Sequence, residues 1–415
     1  MEPILFLVHR IPFPPTKGDK VVSHHLLKFL ATRYRVHLGT FVDDPRDMAF
    51  VPRLGDFCTS SKVVPISKFA RLRSLSGLLS GEALSVRYYR DERMLTWVRD
   101  TVREHRIERA LVFSSAMAQF VQGIPGLRVV VDFVDVDSDK WDQYAKSRWW
   151  PLSLVFRREA ARLLAFEQAI ATTADASVFV TAGEAALFKR LAPESGGRVH
   201  HVQIGVDAEA FSPSQDFTNP FSETEDAIVF TGTMNYWPNV DAVCWFAQQV
   251  LPMIAAKRPR VRFHIVGMHP ASAVMALARQ ARVVVTGPVP DVRPYLRHAR
   301  VVVAPLRVAR GIQTKVLEAM AMARPVVVSS CAAEALSGLP GVDYEVACDA
   351  PEFARKTIAL LNRDNGYATG AAARARVIAD YDWSKNLEPF DALLRPRTAA
   401  SPGQDIGVAA LASLA

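Results

Sequence analysis

Short runs of β-branched residues alternate along this chain with amphipathic stretches of helical length, and this alternation constrains the fold more than any other feature. In a parallel sheet helices cover both faces, so each strand is a continuous apolar run that a helix follows. The pattern therefore predicts the α/β class, with doubly wound parallel sheets. Because the 415 residues of the chain exceed the roughly 100–200 residues of an ordinary domain, we expect two domains.

The runs fall into two series. The first has predicted strands at Ile4–Val8, Arg35–Phe41, Ala110–Phe113, Arg128–Phe133 and Ser177–Val180, and a predicted helix at Val21–Ala31. The second has predicted strands at Ala227–Phe230, Val261–Val266, Arg282–Thr286, Val301–Ala304 and Pro325–Ser329, and predicted helices at Val240–Ala256 and Lys315–Ala323.

The stretch Asp207–Glu225, which is rich in Ser, Pro, Asp and Asn and shows no periodicity, separates the two series. We therefore expect two Rossmann-like domains, residues 1–206 and 207–377, facing a central cleft. A last helix at 378–394 is expected to cross back to the first domain. Residues 395–415 mix Pro, Gly, Ser and Ala without a core face, which predicts a poorly ordered tail.

Composition narrows the class of protein only broadly. The net charge of +8 is spread along the whole chain, so it does not point to nucleic acid, and we expect no nucleic-acid partner. The four cysteines lie far apart and form no metal or disulfide pattern, which fits a reducing cytosol. No apolar run approaches the roughly 18–20 residues needed to cross a bilayer, and the first residues lack a signal-peptide pattern.

The strongest local signal lies between residues 305 and 328. A strand ends at Pro305, a loop containing Gly311 follows, and a helix begins near Gln313. Backbone N–H groups and the positive end of the helix dipole would then face the crevice outside the strand ends, which makes an anion site. Arg310 and Lys315 would add charge for a diphosphate, and Glu318, one turn after Lys315, could accept ribose hydroxyls. The alternative is an ordinary helix with an exposed Lys/Glu pair.

Two motifs of the first domain allow two interpretations each. The turn Phe13–Lys20 is either a plain strand-to-helix connection or a glycine loop that closes over a ligand through Gly18. The acidic run Asp132–Lys140 could cap a strand end, bind Mg²⁺ or supply a base at the cleft. A DxD metal enzyme would not need a second α/β domain, so we expect no metal and keep Asp135 as a candidate for acceptor contact or catalysis. His24 and His25 are expected to be helix-surface or core residues.

Residues 305–328 resemble the donor-binding signature of the retaining GT-B glycosyltransferases related to glycogen synthase and sucrose synthase, the family 4 or group 1 enzymes. In that signature two glutamates flank seven residues before Ala-Met-Ala and a Pro-Val-Val strand. Glu318 stands at the second glutamate position, and Arg310 replaces the first. The turn after Val229-Phe230-Thr231 and the loop Thr286–Val292 also resemble this family, in which they approach the donor phosphate and the nucleobase.

The resemblance implies a GT-B fold in which the first domain binds the acceptor and the second binds a nucleotide-diphosphate sugar as co-substrate, with no other cofactor. Arg310 joins Asp135 as a catalytic candidate. The implied donor-binding residues are Gly18, Gly232, Thr233, Val289, Arg307, Arg310, Gly311, Ile312, Gln313, Thr314, Lys315 and Glu318.

The whole chain is most similar to sugar transferases associated with exopolysaccharide loci of the PEP-CTERM/exosortase type, on the segments 131–138, 230–236 and 310–320. The resemblance implies retaining, metal-independent transfer of a hexose to a lipid-linked saccharide on the cytoplasmic face of the membrane. An epimerase of the same fold and a non-catalytic sugar-nucleotide-binding module remain as alternatives, and Arg310 at the glutamate position keeps the second one open.

Two basic amphipathic stretches suggest a peripheral contact with an anionic membrane on the inner face of the plasma membrane. In Lys68–Leu79 the apolar residues recur at helical spacing beside Lys68, Arg71 and Arg73. The second stretch is Ser147–Leu152 with the arginines that follow it. The alternative for each is a helix packed on its own domain with a solvated basic face. We expect Lys68–Leu79 to be the better anchor.

Overall fold

The computed structural model describes residues 1–15, 18–67, 69–146, 150–309 and 311–395, apart from the side chains of Arg71, Leu79 and Arg363. These residues form two α/β units, each built on one parallel sheet. The predicted fold class is therefore confirmed.

The N-terminal sheet has the strand order β3-β2-β1-β4-β5-β6-β7. Its strands are β1 (Glu2–Val8), β2 (Tyr34–Val42), β3 (Ser60–Pro65), β4 (Arg109–Phe113), β5 (Arg128–Val134), β6 (Ala176–Phe179) and β7 (Val199–His201). Residues 4–8 of the central strand β1 are fully buried, because helices cover both faces of the sheet. Those helices are α1 (Gly18–Ala31), α2 (Ala70–Ser74), α3 (Gly77–Ser80), α4 (Leu84–Tyr88), α5 (Glu92–His105), α6 (Asp137–Lys146), α7 (Leu152–Thr173) and α8 (Ala182–Leu191).

The C-terminal sheet has the order β10-β9-β8-β11-β12-β13. Its strands are β8 (Asp226–Thr231), β9 (Val261–Val266), β10 (Val283–Gly287), β11 (Val301–Ala304), β12 (Val326–Ser329) and β13 (Glu345–Ala347). The helices that follow β7 are α9 (Trp237–Trp245), α10 (Leu251–Lys257), α11 (Ser272–Leu277), α12 (Arg293–His298), α13 (Thr314–Ala321), α14 (Ser330–Ala333), α15 (Ala350–Leu360), α16 (Arg363–Asp380) and α17 (Trp383–Leu394).

The last helix, α17, packs on the N-terminal sheet although it follows the C-terminal one. The hydroxyl of Tyr34 on β2 donates to Asp391 at 2.6 Å, and Arg128 on β5 donates to the carbonyl of Leu393 at 2.6 Å. Trp383 stacks on His25 of α1 with ring centroids 4.3 Å apart. These contacts tie the end of the described chain to the first domain.

Two sequence predictions need correction. The single helix expected at Val240–Ala256 is interrupted by one π-helical turn, Phe246–Val250, before Pro252 at the start of α10. The stretch Lys68–Leu79 does not form one helix; its described residues form two short helices, α2 and α3. The irregular stretch Asp207–Glu225 lies between β7 and β8. The predicted tail lies almost entirely outside the described residues.

Candidate active site

A glycine turn at the carboxyl end of β8 forms the floor of the candidate site. Gly232 has φ +156° and Gly267, after the neighbouring strand β9, has φ +154°. A Cβ atom on Gly267 would lie 1.7 Å from the carbonyl oxygen of Gly232, so the two turns are in backbone contact. Only glycine fits at this crossing.

The ammonium of Lys315 is held beside this turn. A Cβ atom on Gly232 would lie 3.2 Å from Lys315 Nζ. That nitrogen donates to Asn239 Oδ1 at 2.6 Å and lies 4.5 Å from the centre of the Phe230 ring. Asn239 Nδ2 in turn donates to the carbonyl of Thr233 at 3.0 Å, so the amide fixes the lysine against the turn.

Lys315 and Glu318 share the first turns of α13, and both side chains are half-buried. Burial lowers the pKa of the Lys315 ammonium to about 7, and the charge of Glu318 opposes that shift. Burial raises the pKa of the Glu318 carboxyl to about 7, and the charge of Lys315 opposes it. Each charge is therefore poorly solvated here, and a ligand with complementary groups would stabilise both.

The helix α13 begins where the sequence predicted an anion site. Gln313 is its N-cap residue, in an extended conformation, and its side chain makes no capping hydrogen bond. Thr314 is the first helical residue. Ile312 and Val289 are partly buried and pack against the apolar core of the domain. The helix therefore presents its positive dipole end and first backbone N–H groups beside Lys315.

Of the two arginines expected near the diphosphate, the structure describes only Arg307. Arg307 pairs bidentately with Asp241 of α9, and its side chain is 56% exposed. The hydrogen bond to Asp241 raises the pKa of the Arg307 guanidinium, and burial opposes that shift. Arg307 thus already has an acidic partner on the surface of its own domain. Arg310 lies outside the described residues.

Gly311, in the loop before α13, lies against the N-terminal domain. Its φ is +59°, and a Cβ atom on it would lie 2.6 Å from Asp135 Oδ1 and 3.4 Å from Val180 Cγ1. Asp135 Oδ1 is buried and has no hydrogen-bond partner among the described residues. The structure therefore brings Asp135 and the loop before α13 together, although 175 residues separate them in the sequence.

Asp135 stands on a strained turn after β5. The preceding residue, Val134, has φ +69°, a conformation that costs a β-branched residue about 1–3 kcal/mol. Hydrogen bonds hold it: Val134 N donates to Asp132 Oδ1 at 3.0 Å, and Val134 O accepts from Val180 N at 2.7 Å. Such strain at the edge of a cleft is typical of a functional position.

The carboxylates of the acidic run Asp132–Lys140 do not converge on a common centre. Lys140 Nζ lies 2.8 Å from Asp135 Oδ2 and 3.0 Å from Asp137 Oδ1, so an ammonium lies between them. Burial raises the pKa of Asp132 and of Glu184 to about 7. In the described ranges no three His, Cys, Asp or Glu side chains are arranged to hold a metal ion.

Side chains from both domains line the crevice between these features. Pro238 and Asn239 belong to the first turn of α9, and Gln313 is the N-cap residue of α13, whereas Lys140 and Tyr144 belong to α6 of the first domain. The lining residues are Lys140, Gln143, Tyr144, Tyr236, Pro238, Asn239, Leu306, Val308, Ala309 and Gln313. The site thus lies at the carboxyl edges of both sheets, where parallel α/β folds bind ligands.

Gly18 differs from the other glycines of the predicted site. It is the first residue of α1, and a Cβ atom on it would meet nothing within 4 Å. Nothing in this backbone requires glycine, so a closing role for Gly18 is not supported by its conformation. Its neighbours Thr16 and Lys17 lie outside the described residues.

Sequence reasoning missed an ionic cluster after β1. His9 Nε2 lies 3.2 Å from Asp19, and Arg10 lies 2.7 Å from Asp19 and 2.8 Å from Asp43. Although burial opposes it, the bonds and charges of His9 and Arg10 hold the pKa of Asp19 well below its usual range. The cluster could have been predicted from the strand ends, because His9 and Asp43 directly follow adjacent parallel strands and therefore meet at the carboxyl edge of the sheet.

Comparisons with known proteins agree with this architecture. Residues 225–363 match the family described as Glycosyl transferases group 1, and this segment contains Gly232, Lys315 and Glu318. No curated protein sequence matches the chain.

Solved structures resemble the chain over almost its whole length. Sucrose-phosphate synthase from Thermosynechococcus elongatus has a TM-score of 0.68 at 16% identity, covering 95% of this chain and 98% of that one. Anabaena HepE in complex with UDP-glucose has a TM-score of 0.67 at 15% identity, with 95% and 99% covered. WaaG, a glycosyltransferase involved in lipopolysaccharide biosynthesis, has a TM-score of 0.64 at 15% identity, with 95% and 100% covered. The chain therefore has the GT-B fold, and the family match supports glycosyl transfer as its class of activity.

Proposed function

We propose that this protein transfers a hexosyl group from a nucleotide-diphosphate sugar to a saccharide acceptor, with retention of configuration and without a metal ion. One observation carries the proposal. In the segment that matches the group 1 glycosyl transferases, Lys315, Glu318 and the Gly232 turn converge at the carboxyl edge of a parallel sheet.

The donor would bind across this edge. Its diphosphate would lie over the Gly232 turn, where Lys315 and the start of α13 supply positive charge. The Glu318 carboxylate would accept hydroxyl groups of the ribose. The loop with Val289 would contact the nucleobase. Lys315 also stabilises the charge that develops on the leaving diphosphate, which is the main electrostatic task in glycosyl transfer of this kind.

The acceptor would enter from the N-terminal side of the crevice. Asp135 lies against the loop before α13, so its carboxylate would stand where the acceptor meets the donor once the loop makes room for an acceptor hydroxyl. The neighbouring Lys140 pairs with Asp135 Oδ2 at 2.8 Å. The lipid-linked nature of the acceptor, the role in exopolysaccharide synthesis and the location at the cytoplasmic face rest on the sequence resemblance.

A panel of UDP, GDP and ADP sugars, screened by thermal shift and then by release of the nucleoside diphosphate, tests this proposal. We expect one nucleotide to stabilise the protein and its sugar to be transferred or slowly hydrolysed. HepE, which has been solved with UDP-glucose, makes the uridine nucleotide the first to test. Stabilisation without any turnover would favour a non-catalytic binding module. Conversion to an isomeric nucleotide sugar would favour an epimerase.

Turnover is also expected to survive EDTA, because Lys315 and the start of α13 supply the charge that Mg²⁺ would bring. Complete loss of turnover, restored by Mg²⁺ or Mn²⁺, would contradict metal-independence and return attention to Asp135 and Asp137.

A further inference from the structure

Exposed apolar side chains are concentrated in one region of the N-terminal domain. Of the eighteen exposed large apolar residues in the described part of the chain, eight lie in two short segments. Phe69 and Trp150 are the most exposed of the eight, at 70% and 76%. We name these eight the apolar patch: Phe69, Leu72, Leu75 and Leu78 near α2 and α3, and Trp150, Leu152, Leu154 and Val155 at the start of α7.

The two segments lie side by side because α7 is hydrogen-bonded to α3, to α4 and to the loop between them. Arg158 of α7 donates to the carbonyl of Gly77 at 2.6 Å and to that of Glu82 at 3.3 Å. The buried carboxylate of Glu159 accepts from the backbone N–H groups of Leu84 at 2.7 Å and Ser85 at 2.9 Å. The fold therefore brings the two halves of the patch together, although about 70 residues separate them in the sequence.

The charge around the patch is strongly positive. Residues 69–90 and 150–162 together contain seven arginines and two glutamates. Both glutamates are engaged: Glu159 faces the backbone of α4, and Glu82 pairs with Arg87 at 2.6 Å and Arg90 at 2.8 Å. The exposed guanidinium groups near the patch include those of Arg73, Arg157 and Arg162. An apolar surface with an arginine rim complements a sheet of anionic headgroups over hydrocarbon.

Two other occupants fit less well. The described chain ends beside Leu394, and Leu393 is bonded to Arg128 at the amino end of β5. The patch lies beyond the carboxyl end of β3 and at the start of α7, at the opposite edge of a sheet about 20 Å across, so the last described turn of α17 does not cover it. A second copy of the chain would place one arginine rim against another in a symmetric contact, which like-charge repulsion disfavours.

We propose that the apolar patch binds the surface of an anionic bilayer, with Trp150, Leu154 and Phe69 inserted at the headgroup level and the arginines paired with phosphates. The anchor is thus a tertiary surface rather than the single amphipathic helix that the sequence of Lys68–Leu79 suggested. No helix in the described ranges is long and apolar enough to cross a membrane, so the contact is peripheral. This inference does not depend on the proposed sugar transfer.

The patch also lies beside the acceptor side of the crevice. Helix α6 provides Lys140 and Tyr144 to the crevice and ends only a few residues before Trp150. A bilayer bound at the patch would therefore adjoin the crevice opening on the N-terminal side.

Vesicle flotation with the full chain tests the proposal. The vesicles are phosphatidylcholine alone, or equal parts of phosphatidylcholine and phosphatidylglycerol, at about 0.1 M and about 1 M salt, where the Debye length falls from about 10 Å to about 3 Å. We expect flotation with the anionic vesicles at low salt and at least a tenfold lower partition coefficient on zwitterionic vesicles or at high salt.

Three double variants separate the contributions. Trp150→Ser with Leu154→Ser removes apolar insertion, and Arg157→Ser with Arg162→Ser removes two cations; each should lower partitioning about tenfold or more. Met253→Ser with Met275→Ser, at exposed apolar positions of the C-terminal domain, should bind like the wild type. Unchanged melting of all three, measured by circular dichroism, shows that the variants are folded.

Recovery of the wild type in the soluble fraction under every condition would overturn the proposal. So would equal flotation of the Trp150/Leu154 variant and the wild type. A wild-type dimer in sedimentation velocity that this variant converts to a monomer would assign the patch to self-association instead.

Discussion

The two domains meet at the crevice with faces of different construction. The C-terminal face consists of open glycine backbone, a helix start and one Lys/Glu pair, nearly all from the segments 231–239 and 311–318. The N-terminal face is crowded with paired ionisable groups from several strand ends, among them His9, Arg10 and Asp135. The C-terminal face is thus built from two short segments, whereas the N-terminal face is assembled from the ends of several distant strands; under the proposed function the first would bind the diphosphate and ribose of the donor and the second the acceptor.

The largest effect should come from removing Lys315, the half-buried cation of the C-terminal face. Lys315→Met is expected to weaken nucleoside-diphosphate binding by about 3 kcal/mol, or roughly a hundredfold, because a charge-assisted contact in a partly desolvated site is lost. The melting temperature should change little, because the lost bond to Asn239 is offset by the removal of a poorly solvated ammonium from the free protein.

Isothermal titration calorimetry provides the measurement for Lys315→Met, and the matched control is Lys385→Met, which replaces an exposed lysine of α17. Wild-type affinity in the Lys315 variant would show that the diphosphate binds elsewhere and would remove the distinction between the two faces.

The contact between the faces is tested by comparing two glycines. Gly311→Ala places a methyl group 2.6 Å from Asp135 Oδ1 at a φ of +59°, so we expect a loss of about 1–3 kcal/mol in unfolding free energy and a large loss of turnover. Gly18→Ala meets nothing within 4 Å at the start of a helix and should be neutral or slightly stabilising.

Chemical denaturation of both glycine variants and of Gly311→Ala with Asp135→Ala checks this. If the carboxylate is what the methyl group meets, the double variant should recover part of the lost stability. Equal tolerance of alanine at both positions would mean that the two domains do not meet at Gly311.

A smaller effect, on the pH dependence of stability, is expected from Asp132 in the N-terminal domain. Burial raises the pKa of Asp132 to about 7, so the folded state keeps a proton that the unfolded chain loses near pH 4. The stabilising contribution of that proton is complete below about pH 4 and is lost as the pH rises to about 7. Asp132→Asn should therefore reduce the fall in unfolding free energy between about pH 5 and about pH 7 by about 1–2 kcal/mol.

Urea titrations of the wild type and Asp132→Asn at both pH values measure this difference in slope. A loss of unfolding free energy that is the same at both pH values does not change this difference. Parallel slopes would show that Asp132 is ionised in the folded protein.

The same contrast explains what the sequence could and could not predict. Central strands such as β1, β8 and β11 are unbroken apolar runs, so their places in a parallel α/β fold were predictable. The edge strands β3, β7 and β13 are short and partly exposed, and their apolar signal is too weak to distinguish them from loops. The loop and helix around Gly311 and Lys315 were predictable because the motif is continuous in the chain.

Contacts between distant residues were not predictable in the same way. Asn239 fixes Lys315 across 76 residues, and Asp135 meets Gly311 only through the packing of one domain on the other. The bidentate pairing of Arg307 with Asp241 likewise depends on how α9 packs beside the loop. Periodicity and local motifs contain no information on such pairs, which the tertiary fold alone creates.

The most direct test of the account is the affinity of Glu318→Ala for the nucleoside diphosphate that best stabilises the wild type. Glu334→Ala, which removes an exposed carboxylate elsewhere in the same domain, is the control. By calorimetry we expect Glu318→Ala to bind roughly ten- to a hundredfold more weakly, as for the loss of one charged hydrogen-bond partner of about 1.5–3 kcal/mol, with an unchanged cooperative melt. Wild-type affinity in Glu318→Ala, or the absence of binding of any nucleoside diphosphate to the wild type, would contradict a donor site on the C-terminal domain.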